Sequence, residues 1–146
     1  MQDSRTELAA QVLRQRGRLP LRVNGTSMLP SVLPGDVVFV RHGGADAARC
    51  GDLVLFQREQ RLYVHRVIGR QGADLVTQGD ANPRPDDQVQ ASEFLGTVVR
   101  QWRGGSAFTP RDRPTGLSRA ASALFRRSSG ASRLFSRMHA LLAPRP

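Results

Sequence analysis

Three kinds of side chain in this sequence are suited to acting together on a carbonyl carbon: a serine, a histidine and a set of aspartates. The serine is Ser27, within Gly25-Thr26-Ser27-Met28-Leu29-Pro30-Ser31-Val32-Leu33-Pro34-Gly35-Asp36. Glycine stands before it and two prolines after it, a turn composition able to present one hydroxyl rigidly. An ordinary serine-containing loop fits the same residues. A serine hydroxyl is a weak nucleophile at neutral pH and needs a base within hydrogen-bond reach. All 22 basic residues are arginine, so no lysine can be that base. Three histidines remain. His42 lies in the polar run Arg41-His42-Gly43-Gly44, and His139 lies in a basic C-terminal region. His65 lies in Tyr63-Val64-His65-Arg66-Val67-Ile68, which reads as a strand. Alternation puts Tyr63 and Val67 on its face and Val64, Arg66 and Ile68 on the other. A purely structural histidine fits that position too. The acids come from Gly79-Asp80-Ala81-Asn82-Pro83-Arg84-Pro85-Asp86-Asp87. A carboxylate from this loop could orient His65 and stabilise its charged form, and a solvated turn is the alternative.

The elements that must position these residues are short. Residues 4–16 read as a helix, with Ser4 and Glu7 as a capping box, Leu8, Val12 and Leu13 as a narrow apolar stripe, and Gly17 as its stop. Pro20 separates the helix from the first strand. Strands are expected at 21–24, 36–41, 52–58, 61–70, 75–77 and 94–102, punctuated by Pro34-Gly35 and Cys50-Gly51. The link Glu59-Gln60 suggests a hairpin between the third and fourth. Six short strands without a long helix among them argue a mostly β domain. Residues 104–116 read as a Gly/Pro/Arg linker. Residues 117–142 then read as a basic amphipathic helix: Leu117, Ala121, Leu124, Ser128, Ala131, Phe135, Met138 and Leu142 recur at three/four spacing, with a bend at Ser128-Ser129-Gly130. The expected organisation is 1–20 helix and lead-in, 21–103 β domain, and 104–146 linker and tail.

Composition narrows the classes. A chain of 146 residues supports one modest core, and 5% aromatic content makes that core aliphatic. The net charge is +10 at pH 7, but residues 1–102 hold 13 arginines against 11 acids, while 103–146 hold nine arginines against Asp112 alone. The basic character belongs to the tail, which suits an anionic surface. Arginines beside anionic lipid, with Leu124, Phe125, Leu134 and Phe135 inserted, would give peripheral membrane attachment. A solvated tail and a tail packed on a partner protein fit as well. No recognisable module with interleaved aromatics is present, so no specific nucleic acid is expected. Cys50 is the single cysteine, which excludes an intramolecular disulfide and a cysteine metal cluster. No run approaches the roughly 18 apolar residues of a membrane span, and residues 1–18 lack the apolar core of a secretory signal. The expected location is the cytoplasm, with peripheral membrane attachment through the tail.

Five segments, in order, carry a resemblance to the signal peptidase family. They are Ser27-Met28-Leu29-Pro30 with Gly35-Asp36; Gly51-Asp52-Leu53-Val54-Leu55-Phe56; Val64-His65-Arg66-Val67-Ile68-Gly69; Gly79-Asp80-Ala81-Asn82; and Gly96-Thr97-Val98-Val99. Histidine in the third box resembles the endoplasmic-reticulum and archaeal-like Ser/His branch, here without the usual membrane anchor. The resemblance implies the coiled β-sheet shared by signal peptidases and SOS-repressor autoproteases. It implies Ser27 as nucleophile, His65 as base, and roles for Asp80 and Asp86, with Asp87 the competitor of Asp86. It implies a peptide or precursor-protein substrate bound as an extended strand, small side chains before the cut, and no metal or organic cofactor. Many relatives carry serine two positions before the nucleophile, where this chain has Gly25. The oxyanion hole then rests on backbone N–H groups, with Gly25 and Thr26 as its local support. Two other readings share this fold: a self-cleaving regulator and a non-catalytic binding module.

Overall fold

The computed structural model describes residues 2–110 and Ala123. The expected tail helix, its linker beyond Pro110, and His139 lie outside the described residues. The element order is α1 (Gln2–Arg16), β1 (Arg18–Arg22), β2 (Val37–His42), a short 3-10 turn (Ala45–Ala47), β3 (Leu53–Arg58), β4 (Arg61–Gln71), β5 (Asp74–Gln78), β6 (Phe94–Arg103) and β7 (Ser106–Phe108). All seven strands join one antiparallel sheet in the order β1-β2-β6-β3-β4-β5, with β7 added to the far end of β6. The fold is therefore the mostly β, coiled-sheet class with a short N-terminal helix.

The helix departs from expectation in two ways. It begins at Gln2, so Ser4 lies inside the first turns instead of capping them. Its packed face is Ala10 and Leu13, while Leu8 is 59% exposed. The reason is spacing: Thr6, Ala9, Ala10, Val12 and Leu13 are the less exposed positions, so Val12 and Leu13 of the expected stripe turn inward and Leu8 falls outside that face. Gly17 does end the helix, at φ 72°, its N–H donating to the Leu13 carbonyl at 2.8 Å. Pro20 does not separate helix from sheet; it sits in the middle of β1. An edge strand accepts proline because one row of its N–H groups has no ladder partner.

The sheet coils so that the β3–β4 hairpin is covered on both faces. Leu53, Leu55, Leu62 and Val64 join Ala10, Leu13, Met28, Val32, Val38 and Val40 in one core. Val54, Phe56, Tyr63 and Val67 face a second core with Leu75, Val89 and Phe94. Burial on both sides explains why Leu53-Val54-Leu55-Phe56 is a continuous apolar run and not an alternating one. The hairpin turns at Glu59-Gln60, both at positive φ, which matches the twist of the flanking strands. At Gly96 a Cβ would meet the Arg41 carbonyl oxygen at 2.3 Å. Only glycine lets β6 approach β2 there. Gly104-Gly105, expected to open a linker, instead forms a tight turn at positive φ between β6 and β7. Strands thus occur on both sides of the expected 21–103 span.

Candidate active site

The Ser27 loop grows directly out of the β1–β2 ladder. Val23 N–H donates to the Asp36 carbonyl, and Gly35 N–H donates back to the Val23 carbonyl at 2.7 Å. Between them the chain makes a helical turn, with Leu29 N–H bonded to the Thr26 carbonyl and Val32 N–H to the Met28 carbonyl. Met28, Leu29, Val32 and Leu33 are buried, so the turn is nailed to the core and Ser27 stands at its start, partly exposed.

Two polar clamps hold the far side of this loop. Asp36 is 2% exposed and accepts from Leu33 N–H, from Gln101 Nε2 at 2.7 Å, and from the Arg103 guanidinium. Gln101 and Arg103 also donate to the Ser31 carbonyl. On the other flank, Arg66 grips Asp80 with two parallel bonds of 2.9 and 2.8 Å and donates to the Gly51 carbonyl. The Ser31 hydroxyl donates to the same Asp80 carboxylate. Arg66 and Asp80 are 7% and 4% exposed, so this is a buried, bidentate pair. It ties β4 to the serine loop.

His65 projects from β4, 4% exposed. Its Nε2 lies 3.0 Å from Ser27 Oγ and its Nδ1 lies 2.6 Å from Asp86 Oδ2. The tautomer satisfying both contacts carries its proton on Nδ1, donating to Asp86, and leaves Nε2 free to accept the Ser27 proton. Asp86 Oδ2 accepts a second bond, 2.7 Å, from the Thr77 hydroxyl, and the Asp86 N–H donates to the Thr77 carbonyl. Thr77 is fully buried on β5. Aromatic rings wall the imidazole: Phe56 meets it edge-on at 5.8 Å and Tyr63 at 5.9 Å.

Of the three candidate acids, then, the one brought to His65 is Asp86. Asp80 lies with Arg66 and Ser31, and Asp87 is exposed, its carbonyl accepting from Arg58. His42 is directed elsewhere, its Nδ1 2.7 Å from the Leu95 carbonyl. Gly25 and Thr26 immediately precede the nucleophile, Gly25 exposed and Thr26 half-buried. Among the described residues no group of three or more His, Cys, Asp or Glu side chains converges on a metal position, and Cys50 is a free, exposed thiol.

Sequence reasoning missed Thr77, Ser31 and the role of Arg66. A signal for Arg66 existed. An arginine next to His65 on a strand buried on both faces needs a buried acid, and the 79–87 loop supplies one.

The loop carrying the acids is packed on the nucleophile's backbone. Ala81 N–H donates to the Ser27 carbonyl at 2.8 Å. A Cβ on Gly79 would meet that carbonyl oxygen at 2.6 Å and the Asn82 amide at 2.7 Å. Backbone cannot yield as a side-chain tip can, so Gly79→Ala must push the serine off the base. The expected result is a loss of kcat/KM of about 10² from a displacement near 1 Å, with about 1–3 kcal/mol of destabilisation. Steady-state kinetics and thermal melting of the variant check it.

A third clamp fixes the segment after Asp86. Arg58, at the end of β3, donates to the carbonyls of Asp87 and Gln88 and forms a two-bonded fork with Glu93. The Arg58 bond holds the Glu93 carboxyl below the usual carboxylate range, aided by the Gln90 N–H. A folded value below the unfolded one means stabilisation that is present above the ordinary glutamate range and is lost as pH falls through the folded value. The pair is partly exposed, so its contribution is about 1 kcal/mol. Glu93→Gln is expected to be less stable than the parent at neutral pH, and the gap to close on acidification. Melting curves measured across pH read this directly.

A family model described as Peptidase S24-like matches residues 2–99, about two thirds of the chain. The chain belongs to the Peptidase S24-like family. That family includes serine peptidases and self-cleaving regulators. No curated protein matches the chain. Among the described residues, no helix of this S24-like chain is long and apolar enough to cross a membrane.

Proposed function

We propose that this S24-like chain is a serine endopeptidase of signal-peptidase type that cuts a leader or precursor peptide through an acyl-enzyme. The observation that carries the reading is the unbroken line Ser27 Oγ–His65 Nε2 at 3.0 Å and His65 Nδ1–Asp86 Oδ2 at 2.6 Å. His65 takes the Ser27 proton as Oγ attacks the scissile carbonyl carbon. Backbone N–H groups at the start of the Thr26–Val32 turn, including that of Ser27, receive the developing oxyanion. His65 passes its proton to the leaving amine as the C–N bond breaks. Water, deprotonated by the same imidazole, then releases the acyl group and restores Ser27. Asp86 holds the imidazole in its working tautomer and stabilises its charged form.

A histidine in place of the commoner lysine base supports placing the chain in the Ser/His branch.

The test uses a fluorophosphonate, which phosphonylates only an activated serine. One adduct per chain on Ser27, mapped by mass spectrometry and absent in His65→Ala, is the expected result. A chain that stays unlabelled sinks the reading and leaves the non-catalytic module. Spontaneous conversion of the intact chain to two fragments, absent in Ser27→Ala, would favour the self-cleaving regulator.

A further inference from the structure

On the outer face of β1, β2, β6 and β7 lies a groove of about 530 Å³, within the size range of ligand clefts. Its apolar surface comes from Pro20, the half-buried Phe39, and Trp102, which is 47% exposed. Its charge comes from Arg18, Arg41 and Arg100, all exposed, and no acid lines it. Arg18 and Arg41 are direct cross-strand partners. Like charges placed opposite one another destabilise a sheet. Four other arginines are ion-paired: Arg14 with Glu7, Arg58 with Glu93, Arg66 with Asp80, Arg103 with Asp36. Among the described residues none of the three groove arginines has an ion-pair partner.

We infer that this groove is a docking site for an acidic, extended polypeptide segment with apolar side chains between its carboxylates. Guanidinium forks match carboxylates in pairs, and an anion between Arg18 and Arg41 removes their repulsion. The occupant lies on the face and does not extend the sheet, because Pro20 interrupts the N–H row of the β1 edge. A concave groove suits a chain lying in it better than a bilayer lying on it. One exposed ring is too few for a single nucleic-acid strand, which needs a series of stacking platforms. The chain's own residues 111–146 carry eight arginines and one acid, so their charge is wrong for the site.

Because β1 runs straight into the Ser27 loop, a segment held here belongs to the same polypeptide that is cut. That last step rests on the peptidase reading; the chemistry of the groove does not.

Trp102 is the only tryptophan, so its emission reports the groove without labelling. The full chain is titrated with a ten-residue peptide alternating glutamate and leucine. The comparison probes are its lysine–leucine counterpart, a ten-residue oligothymidylate, and phosphatidylcholine vesicles containing one third phosphatidylserine. The expected result is a saturable change with the glutamate peptide alone, about tenfold weaker in Arg18→Gln/Arg41→Gln. That variant should melt no lower than the parent, since it removes a like-charge pair. No emission change, undiminished binding by the variant, or stronger binding of the lysine peptide, DNA or vesicles overturns the site. Fusing the glutamate–leucine segment to a cleaved substrate should lower KM about tenfold, with kcat unchanged, in the parent only. If no peptide is hydrolysed at all, the peptidase reading falls, and the titration still decides the groove.

Discussion

Ser27→Ala and His65→Ala are each expected to abolish hydrolysis, with kcat falling by about 10⁶, and the double variant is expected to be no worse than either alone. On the proposed mechanism nucleophile and base act as one unit, because each depends on the 3.0 Å contact between Ser27 Oγ and His65 Nε2. Residual turnover above the water rate comes from the oxyanion donors and substrate binding. Both variants are expected to give the parent's circular dichroism spectrum. Ser27 is partly exposed, and the His65 site retains Phe56 and Tyr63 as its walls. Single-turnover and steady-state rates on a peptide with small residues at the cut measure the effect. A loss in one variant without the other overturns the pair.

The second large effect separates two aspartates that look alike in sequence. Asp86→Asn keeps the shape of the side chain but removes the charge that His65 Nδ1–H points at, and the imidazole then adopts the wrong tautomer. The expected loss in kcat is about 10⁴, with little change in melting temperature. Asp80→Asn has the opposite signature. It removes the carboxylate charge held against the buried Arg66 guanidinium, which destabilises by about 3–5 kcal/mol. Its effect on catalysis comes through loosening of the Ser31 side of the loop. The paired readout is kcat against urea midpoint for the two variants. If Asp80→Asn loses activity without losing stability, Asp80 has a direct catalytic part and the assignment of roles is wrong. Thr77→Val sits between them: the Asp86 carboxylate loses one of its two donors on the same oxygen, and about 10-fold in kcat is expected from the loss of one such bond.

The strands are legible in the chain because each apolar run is bounded by a turn former: Pro34-Gly35, Cys50-Gly51, and the Glu59-Gln60 link. The first strand begins three residues before its expected start at Leu21. Pro20 reads as a breaker, and only its edge position makes it acceptable inside β1. β7 is not legible. Ser106-Ala107-Phe108 is exposed throughout and carries no alternation, and Gly104-Gly105 looks the same whether it opens a linker or closes a hairpin. Ser27 and His65 stand out because the missing lysines leave few bases. Asp80, Asp86 and Asp87 differ in where they aim, which depends on β5 and Arg66, and spacing along the chain does not encode that. In sequence, Arg66 is a neighbour on the opposite face from His65, and its need for a buried acid shows only once the strand is known to be covered on both faces. Its burial makes it the partner that draws Asp80 away from the imidazole.

The clamps on the serine loop have a temporal meaning. Asp36 and the Ser31 carbonyl are gripped by Gln101 and Arg103, which come 65 to 72 positions later in the chain. During synthesis, Ser27, His65 and Asp86 all emerge before β6 is complete, and of the contacts that hold the serine loop those from Gln101 and Arg103 come last. The Gln101 and Arg103 side of the serine loop can close only when the sixth strand slots between the second and third, so the geometry of that loop is completed last along the chain.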